Sequence, residues 1–228
     1  MTPRPPAVMP SRIPWFVPAL AAAAVAVHLL PEGVATALQF DRAALAGGAW
    51  WRLLTAHLTH FDGNHLAWDV GVFLALGWSC ERSAPRTTAR ALLAAAVAIT
   101  LGVWASQPQF ATYRGLSGLD CTLFALRATD LLRHRETMPR LVGLLALLGL
   151  GGKCVFELAT GSTLFTRGTG YDPVPLAHLV GAAVGVLVPT LEAGLHRPDR
   201  GRIERLSLQI RPVAQNFPRH VGTPSHHR

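Results

Sequence analysis

Ser117 stands in Tyr113-Arg114-Gly115-Leu116-Ser117-Gly118, at the start of an apolar stretch. A serine flanked by glycines at a helix N-terminus is open to approach, and the free backbone N–H groups and positive end of the helix dipole favour an oxyanion there. Those are the needs of a nucleophile. The same Gly-x-Ser-Gly is also the composition of a small-residue packing patch in a membrane helix. His178 lies in Ala177-His178-Leu179-Val180-Gly181-Ala182-Ala183-Val184-Gly185, where small residues at 177, 181 and 185 form one ridge at spacing four. Such a ridge lets a neighbouring helix come very close. An imidazole at its edge can act as general base toward a serine on that neighbour, whereas a lone intramembrane histidine is more often a hydrogen-bonded packing residue. The two motifs together raise the catalytic reading above the packing one.

Other polar residues sit where apolar ones are expected: His57, His60, His65, Asp69, Asp120, Lys153 and Glu157. Each is costly inside a bilayer, by a few kcal/mol on insertion scales, so each needs a partner or a task. His65 and Asp69 are four apart and share a helix face. His57, His60 and His65 are rival candidates for a metal site, but His-Glu-x-x-His and Cys/His clusters are absent, and a catalytic zinc needs three well-fixed ligands. No metal is expected. Lys153 and Glu157, also four apart, read as an ion pair along one helix face. Asp120, one turn beyond Ser117, has Lys153 or Arg114 as its expected partner.

The elements that must position these residues are membrane helices. Of the 228 residues 50% are hydrophobic and only 15% charged, against roughly 25% charged in soluble domains. The net charge of +8 is no signature of nucleic-acid binding, because the arginines fall between apolar runs and not along one face. Cys80, Cys121 and Cys154 lie in or beside apolar stretches without paired spacing, which argues against a disulfide framework.

Six stretches approach the roughly 20 apolar residues of a spanning helix: 13–30, 64–80, 88–106, 115–132, 139–160 and 173–195. The expected architecture is an all-α bundle of six transmembrane helices over 13–195. Residues 31–56, polar and glycine-rich with Trp50 and Trp51, read as a structured interfacial loop. Arg4 and Arg12, Arg82 to Arg90, Arg133 to Arg140 and Arg197 to Arg205 fall on one side, outnumbering Arg42, Arg52, Arg114 and Arg167 on the other. By the positive-inside rule both termini are cytoplasmic. Residues 1–12 are then a cytoplasmic N-terminal segment, and 196–228 a basic, mobile cytoplasmic tail against lipid headgroups. The first stretch, Arg-flanked and followed by small residues at 35–37, also has the form of a cleaved signal peptide; retention is the preferred reading.

From Trp50 to Glu192 the sequence resembles the rhomboid intramembrane serine proteases. The matching pieces are Trp51-Arg52, His60 and His65, Glu81-Arg82, Gly115-Leu116-Ser117-Gly118, and Ala177-His178 with Gly181 and Gly185. The resemblance implies that Ser117 attacks a scissile carbonyl, with His178 as base and then as proton donor to the leaving amine. It implies a dyad without a third acidic member and without a cofactor. The backbone N–H groups of Ser117 and Leu116 would face the oxyanion, with the His65 side chain as a further donor. Substrates would be transmembrane or membrane-anchored proteins, cut near the extracytoplasmic face of a bacterial inner membrane.

Two positions depart from the family pattern. Asp69 replaces a usual Asn; as an ionised carboxylate it would repel an oxyanion, as a protonated one it would donate, and alternatively it orients His65. Cys121 replaces the Tyr that in many members packs against the catalytic histidine. A closer resemblance, to the rhombosortase branch, rests on Asp41-Arg42-Ala43-Ala44, Gly48-Ala49-Trp50-Trp51-Arg52-Leu53-Leu54-Thr55, the segment around Ser117, and Lys153 with Glu157. It implies processing of C-terminal Gly-Gly-type membrane anchors. A catalytically silent rhomboid-like protein that binds membrane clients is the alternative, supported by Asp69 and Cys121. A proton relay through His65, Asp69, Asp120 and Glu157 lacks the paired broken helices of a transporter.

Overall fold

The computed structural model describes residues 13–162, 164 and 173–195. The segments 1–12 and 196–228, read above as N-terminal segment and tail, lie outside the described residues. The chain divides into a unit Met1–Leu191, within which all the contacts described below lie, and a unit Glu192–Arg228.

The helices in chain order are α1 (Phe16–Leu29), α2 (Glu32–Leu38), α3 (Arg42–Ala46), α4 (Arg52–Thr55), α5 (Gly63–Ser83), α6 (Pro85–Ser106), α7 (Ser117–Leu132), α8 (Thr137–Thr160) and α9 (Pro175–Leu195). Local chemistry accounts for several boundaries. Asp62 caps α5, its carboxylate accepting the His65 N–H at 2.8 Å. Pro85 opens α6 at a position where its missing N–H costs nothing. Gly161, at φ +69°, closes α8 in the left-handed conformation, its N–H donating to Glu157 O.

The expected all-α description needs one correction. The loop 31–56 contains, besides α2, α3 and α4, a short strand β1 (Phe40–Asp41) that pairs antiparallel with β2 (Thr112–Tyr113). This ladder ties the interfacial segment to the residues just before Ser117. Arg42 secures the same junction: its guanidinium donates to the carbonyls of Val103 and Gln107 at the end of α6, and to that of Phe110.

By length and composition α6, α8 and α9 can cross a membrane. The shorter apolar α1 has 14 residues and α7 has 16, whereas α5 has 21 but includes His65, Asp69, Glu81 and Arg82. Large apolar side chains face outward on α8, with Leu145, Leu148 and Val155 at least 58% exposed, while the interior is lined by Phe40, Phe73, Ile99, Leu116 and Leu123. An apolar exterior of this kind suits lipid contact.

Helices approach closely where side chains are absent. A Cβ on Gly77 would collide with Val17 of α1, one on Gly143 with the Ala128 carbonyl of α7, and one on Gly181 or Gly185 with the Gly118 or Thr122 carbonyl of α7. The 177/181/185 ridge is therefore the α7–α9 contact. Glu81, near the end of α5, accepts the backbone N–H groups of Trp15, Phe16 and Val17 at 2.8–3.0 Å and so caps α1 from another helix.

Candidate active site

The helix ends bring the chemistry together. α5, α7 and α9 begin at the end of the bundle where α8 finishes, so residues near the starts of the first three and the finish of the fourth share one level. Gly181 seats α9 against the Gly118 carbonyl, one residue past Ser117. On the preceding turn of α9, His178 Nε2 lies 3.0 Å from Ser117 Oγ. His178 is buried and Ser117 half-buried. The hydroxyl can donate to Nε2 when that nitrogen is unprotonated, the arrangement of a nucleophile and its base.

The other ring nitrogen has an acidic partner. Glu157 Oε2 lies 2.6 Å from His178 Nδ1, and the Glu157 side chain is fully buried. Lys153 Nζ donates to the same carboxylate oxygen at 2.7 Å and sits 3.2 Å from His178 Nδ1. The Leu164 N–H donates to Glu157 Oε1 at 3.1 Å. The Lys153–Glu157 pair follows its spacing of four, but the same carboxylate also serves the imidazole. An unaccompanied dyad is therefore not what the structure contains. The available sequence signal was depth: Glu157 is three residues before the last of α8, and His178 is three after the first of α9.

Gly115 bends the chain into α7 at φ +128°, a conformation that disfavours a side chain. A Cβ there would meet His65 Nε2 at 2.9 Å and Asp69 Oδ2 at 3.2 Å. The bend turns two N–H groups toward α5, where Asp69 Oδ2 accepts from Leu116 N at 2.9 Å and Ser117 N at 3.1 Å. Asp69 is thus an acceptor at the N-terminus of α7, a contact that spacing alone did not indicate. The physical reason is the unpaired N–H groups and positive dipole end that any helix start presents. His60 Nε2 and His65 Nε2 lie 3.2 and 3.3 Å from the same oxygen, and the Phe61 ring stacks on His65. Leu116 itself is fully buried.

The remaining residues do not join this cluster. His57 turns to α6, its Nε2 3.0 Å from Ala96 O and 3.2 Å from Thr100 Oγ1, and burial holds its imidazole below the usual range. Among the described residues no group of three or more His, Cys, Asp or Glu is placed to hold a metal. Cys121 packs with Ala125, Leu150 and Cys154, and with Ala182 of α9. Asp120 pairs with neither expected partner; its Oδ1 is buried without a hydrogen bond, while Lys153 serves Glu157. Arg114 instead donates to Gln39 Oε1 at 2.7 Å, to the His60 carbonyl at 3.3 Å and to Glu32. That last bond holds the Glu32 carboxyl below its ordinary range. Arg114 therefore anchors the interfacial segment above the site, a role its position in the sequence did not disclose.

Apolar helices of spanning length define a multi-pass helical membrane protein. The Rhomboid domain family model matches residues 47–193, more than half of the chain, and the protein belongs to that family. Rhomboid proteins are generally intramembrane serine proteases acting on membrane proteins, and the family includes inactive members. No curated protein matches the chain at significant similarity.

Proposed function

We propose that this protein is an active intramembrane serine endopeptidase, with Ser117 as nucleophile and His178 as general base. The observation that carries the reading is the 3.0 Å separation of His178 Nε2 and Ser117 Oγ on two helices held together by glycine contacts. In acylation the Ser117 hydroxyl proton passes to Nε2 as Oγ bonds to the substrate carbonyl carbon. The tetrahedral species collapses, the C–N bond breaks, and Nε2 returns the proton to the leaving amine. Water then attacks the acyl-enzyme with His178 again as base, releasing the acid and Ser117. In this reading the substrate is a membrane-anchored protein. It must unwind locally, since a peptide bond inside an intact helix is shielded. The Leu116 and Ser117 N–H groups, with His65, would receive the oxyanion once Asp69 yields them.

The chain is read as crossing the membrane six times, with the shorter α1 and α7 and the polar α5 among the spans. Both termini are cytoplasmic and the site is near the extracytoplasmic face of a bacterial inner membrane. The finer assignment is to rhombosortase-type processing of C-terminal Gly-Gly anchors, supported by the Asp41–Ala44 and Gly48–Thr55 segments. The second reading, a silent client-binding rhomboid, is favoured by one observation: Asp69 already occupies the N–H groups an oxyanion would need.

A fluorophosphonate probe tests the choice. Detergent-solubilised wild type is expected to be labelled on Ser117, and Ser117→Ala and His178→Ala to be unlabelled. Folded wild-type protein that stays unlabelled, where an active rhomboid labels in the same detergent, overturns the catalytic reading.

A further inference from the structure

Glu157 is the only acidic residue of α8 and stands fully buried in a helix whose other face is leucine and valine. A buried carboxylate is expensive unless it is paired and hydrogen-bonded. This one meets both conditions, with Lys153 Nζ and His178 Nδ1 at Oε2 and the Leu164 N–H at Oε1. A salt bridge alone would have needed only the lysine. The carboxylate is instead aimed at the one imidazole nitrogen that does not face Ser117.

Building on the catalytic reading of Ser117 and His178, we propose that Glu157 is a positioning residue that completes a Ser117–His178–Glu157 triad, with Lys153 holding its carboxylate in place. Glu157 touches neither the nucleophile nor any substrate atom. Its effect runs through the tautomer of His178. With Oε2 accepting the Nδ1 hydrogen, the single proton of the neutral ring is kept on Nδ1, and Nε2 is left with the lone pair that must accept from Ser117 Oγ. The opposite tautomer would put a hydrogen on Nε2 and leave the base with nothing to accept. During acylation, when Nε2 takes the serine proton, the ring carries a positive charge between Oγ and Glu157, and the carboxylate balances it without itself accepting a proton.

Lys153 sharpens the case. Its ammonium can only donate, and Nδ1 at 3.2 Å can serve it only when that nitrogen carries no hydrogen. Glu157 Oε2, nearer to both, draws the lysine proton and the imidazole proton to one acceptor. In a Glu157→Gln variant an amide oxygen in the place of Oε2 would still face Lys153 Nζ and Nδ1, while the amide NH2 would meet the Leu164 N–H. The negative charge is lost, and the lysine charge stands unbalanced beside the imidazolium that acylation forms. The change keeps side-chain size, so its consequence is on the charge at the imidazole, not on packing.

The experiment pairs a rate with a spectroscopic readout. Nitrogen-15 histidine spectra of detergent-solubilised full-length protein, with the His178 signals assigned by their loss in His178→Asn, report which ring nitrogen carries the proton. Wild type is expected to show protonated Nδ1 and bare Nε2, and Glu157→Gln the same tautomer, held by the amide oxygen without its charge. Labelling of Ser117 by fluorophosphonate is expected to slow in Glu157→Gln by about 10²–10⁴-fold, the range of a general base's contribution. In a peptide-cleavage assay the loss is expected in kcat, with KM unchanged. Wild-type spectra with Nε2 protonated overturn the proposal whether or not any variant folds. So does a Glu157→Gln protein that labels at the wild-type rate; in that case Ser117 remains reactive and the catalytic reading survives. Wild type that never labels removes the catalytic reading itself.

Discussion

Replacing Asp69 by Asn isolates one charge at the proposed oxyanion position. The Asp69 carboxylate accepts the Leu116 and Ser117 N–H groups through a single oxygen at 2.9 and 3.1 Å, so a developing oxyanion bound by the same two groups would form within a few ångströms of it. Two unit charges of one sign about 4 Å apart oppose each other by about 4 kcal/mol at an effective dielectric of 20, a factor approaching 10³ in rate. The amide oxygen of Asn can still accept both N–H groups, so the start of α7 keeps its cap while the repulsion disappears. The cost is the charge–dipole attraction at the helix end, about 0.3–1 kcal/mol. Asp69→Asn is therefore expected to raise the rate of Ser117 labelling by about 10- to 1000-fold. Its unfolding midpoint should fall slightly. The assay is second-order labelling of Ser117 by a fluorophosphonate, wild type and variant side by side in one detergent. A folded Asp69→Asn protein with labelling slower than wild type refutes the repulsion, and shows that the carboxylate is needed where it is, holding His60 and His65 at 3.2 and 3.3 Å.

Two further outcomes test the scaffold. Gly181→Ala would set a methyl against the Gly118 carbonyl and push α9 off α7; overpacking of this kind costs about 1–3 kcal/mol, and an ångström of misplacement between His178 and Ser117 about 10²-fold in activity. Thermal unfolding and Ser117 labelling read the two effects, and a Gly181→Ala protein as active as wild type would show that the close contact is not what seats the base. Glu32→Gln removes an exposed carboxylate from buried Arg114, and is expected to cost less than about 1 kcal/mol. Because Arg114 lowers the Glu32 pKa, that stabilisation is present above the carboxyl's ordinary range and is lost as pH falls through the lowered value. Unfolding midpoints of wild type and Glu32→Gln should accordingly converge in acid, and a gap that persists there would place the effect elsewhere than in the charge.

Much of the architecture was written in one dimension, because membrane helices announce themselves by local composition. The long apolar runs that became α6, α8 and α9, the arginines between runs, and the small-residue ridge at 177, 181 and 185 needed no tertiary knowledge to be seen. So did the polar residues that apolar helices could not carry without a reason, Ser117, His178, Asp69 and Glu157 among them. Less legible were the elements whose stability comes from distant partners. The β1–β2 pair is two residues long on each side and exists because Arg42 and the neighbouring turns hold it. The cap that Glu81 supplies to α1 crosses 64 residues of sequence.

Direction was what only the folded chain could decide. Spacing put Lys153 and Glu157 on one face of a helix, and His65 and Asp69 on one face of another, yet spacing within a helix says nothing about what stands opposite. The antiparallel packing of α8 and α9 turned Glu157 to His178 Nδ1, and the positive-φ bend at Gly115 turned two N–H groups onto Asp69. The sequence by itself determined which side chains a membrane bundle would have to satisfy. The tertiary structure decided with which atoms, because a buried charge or an open helix end takes the nearest complementary group that packing presents, and that group is rarely near in sequence.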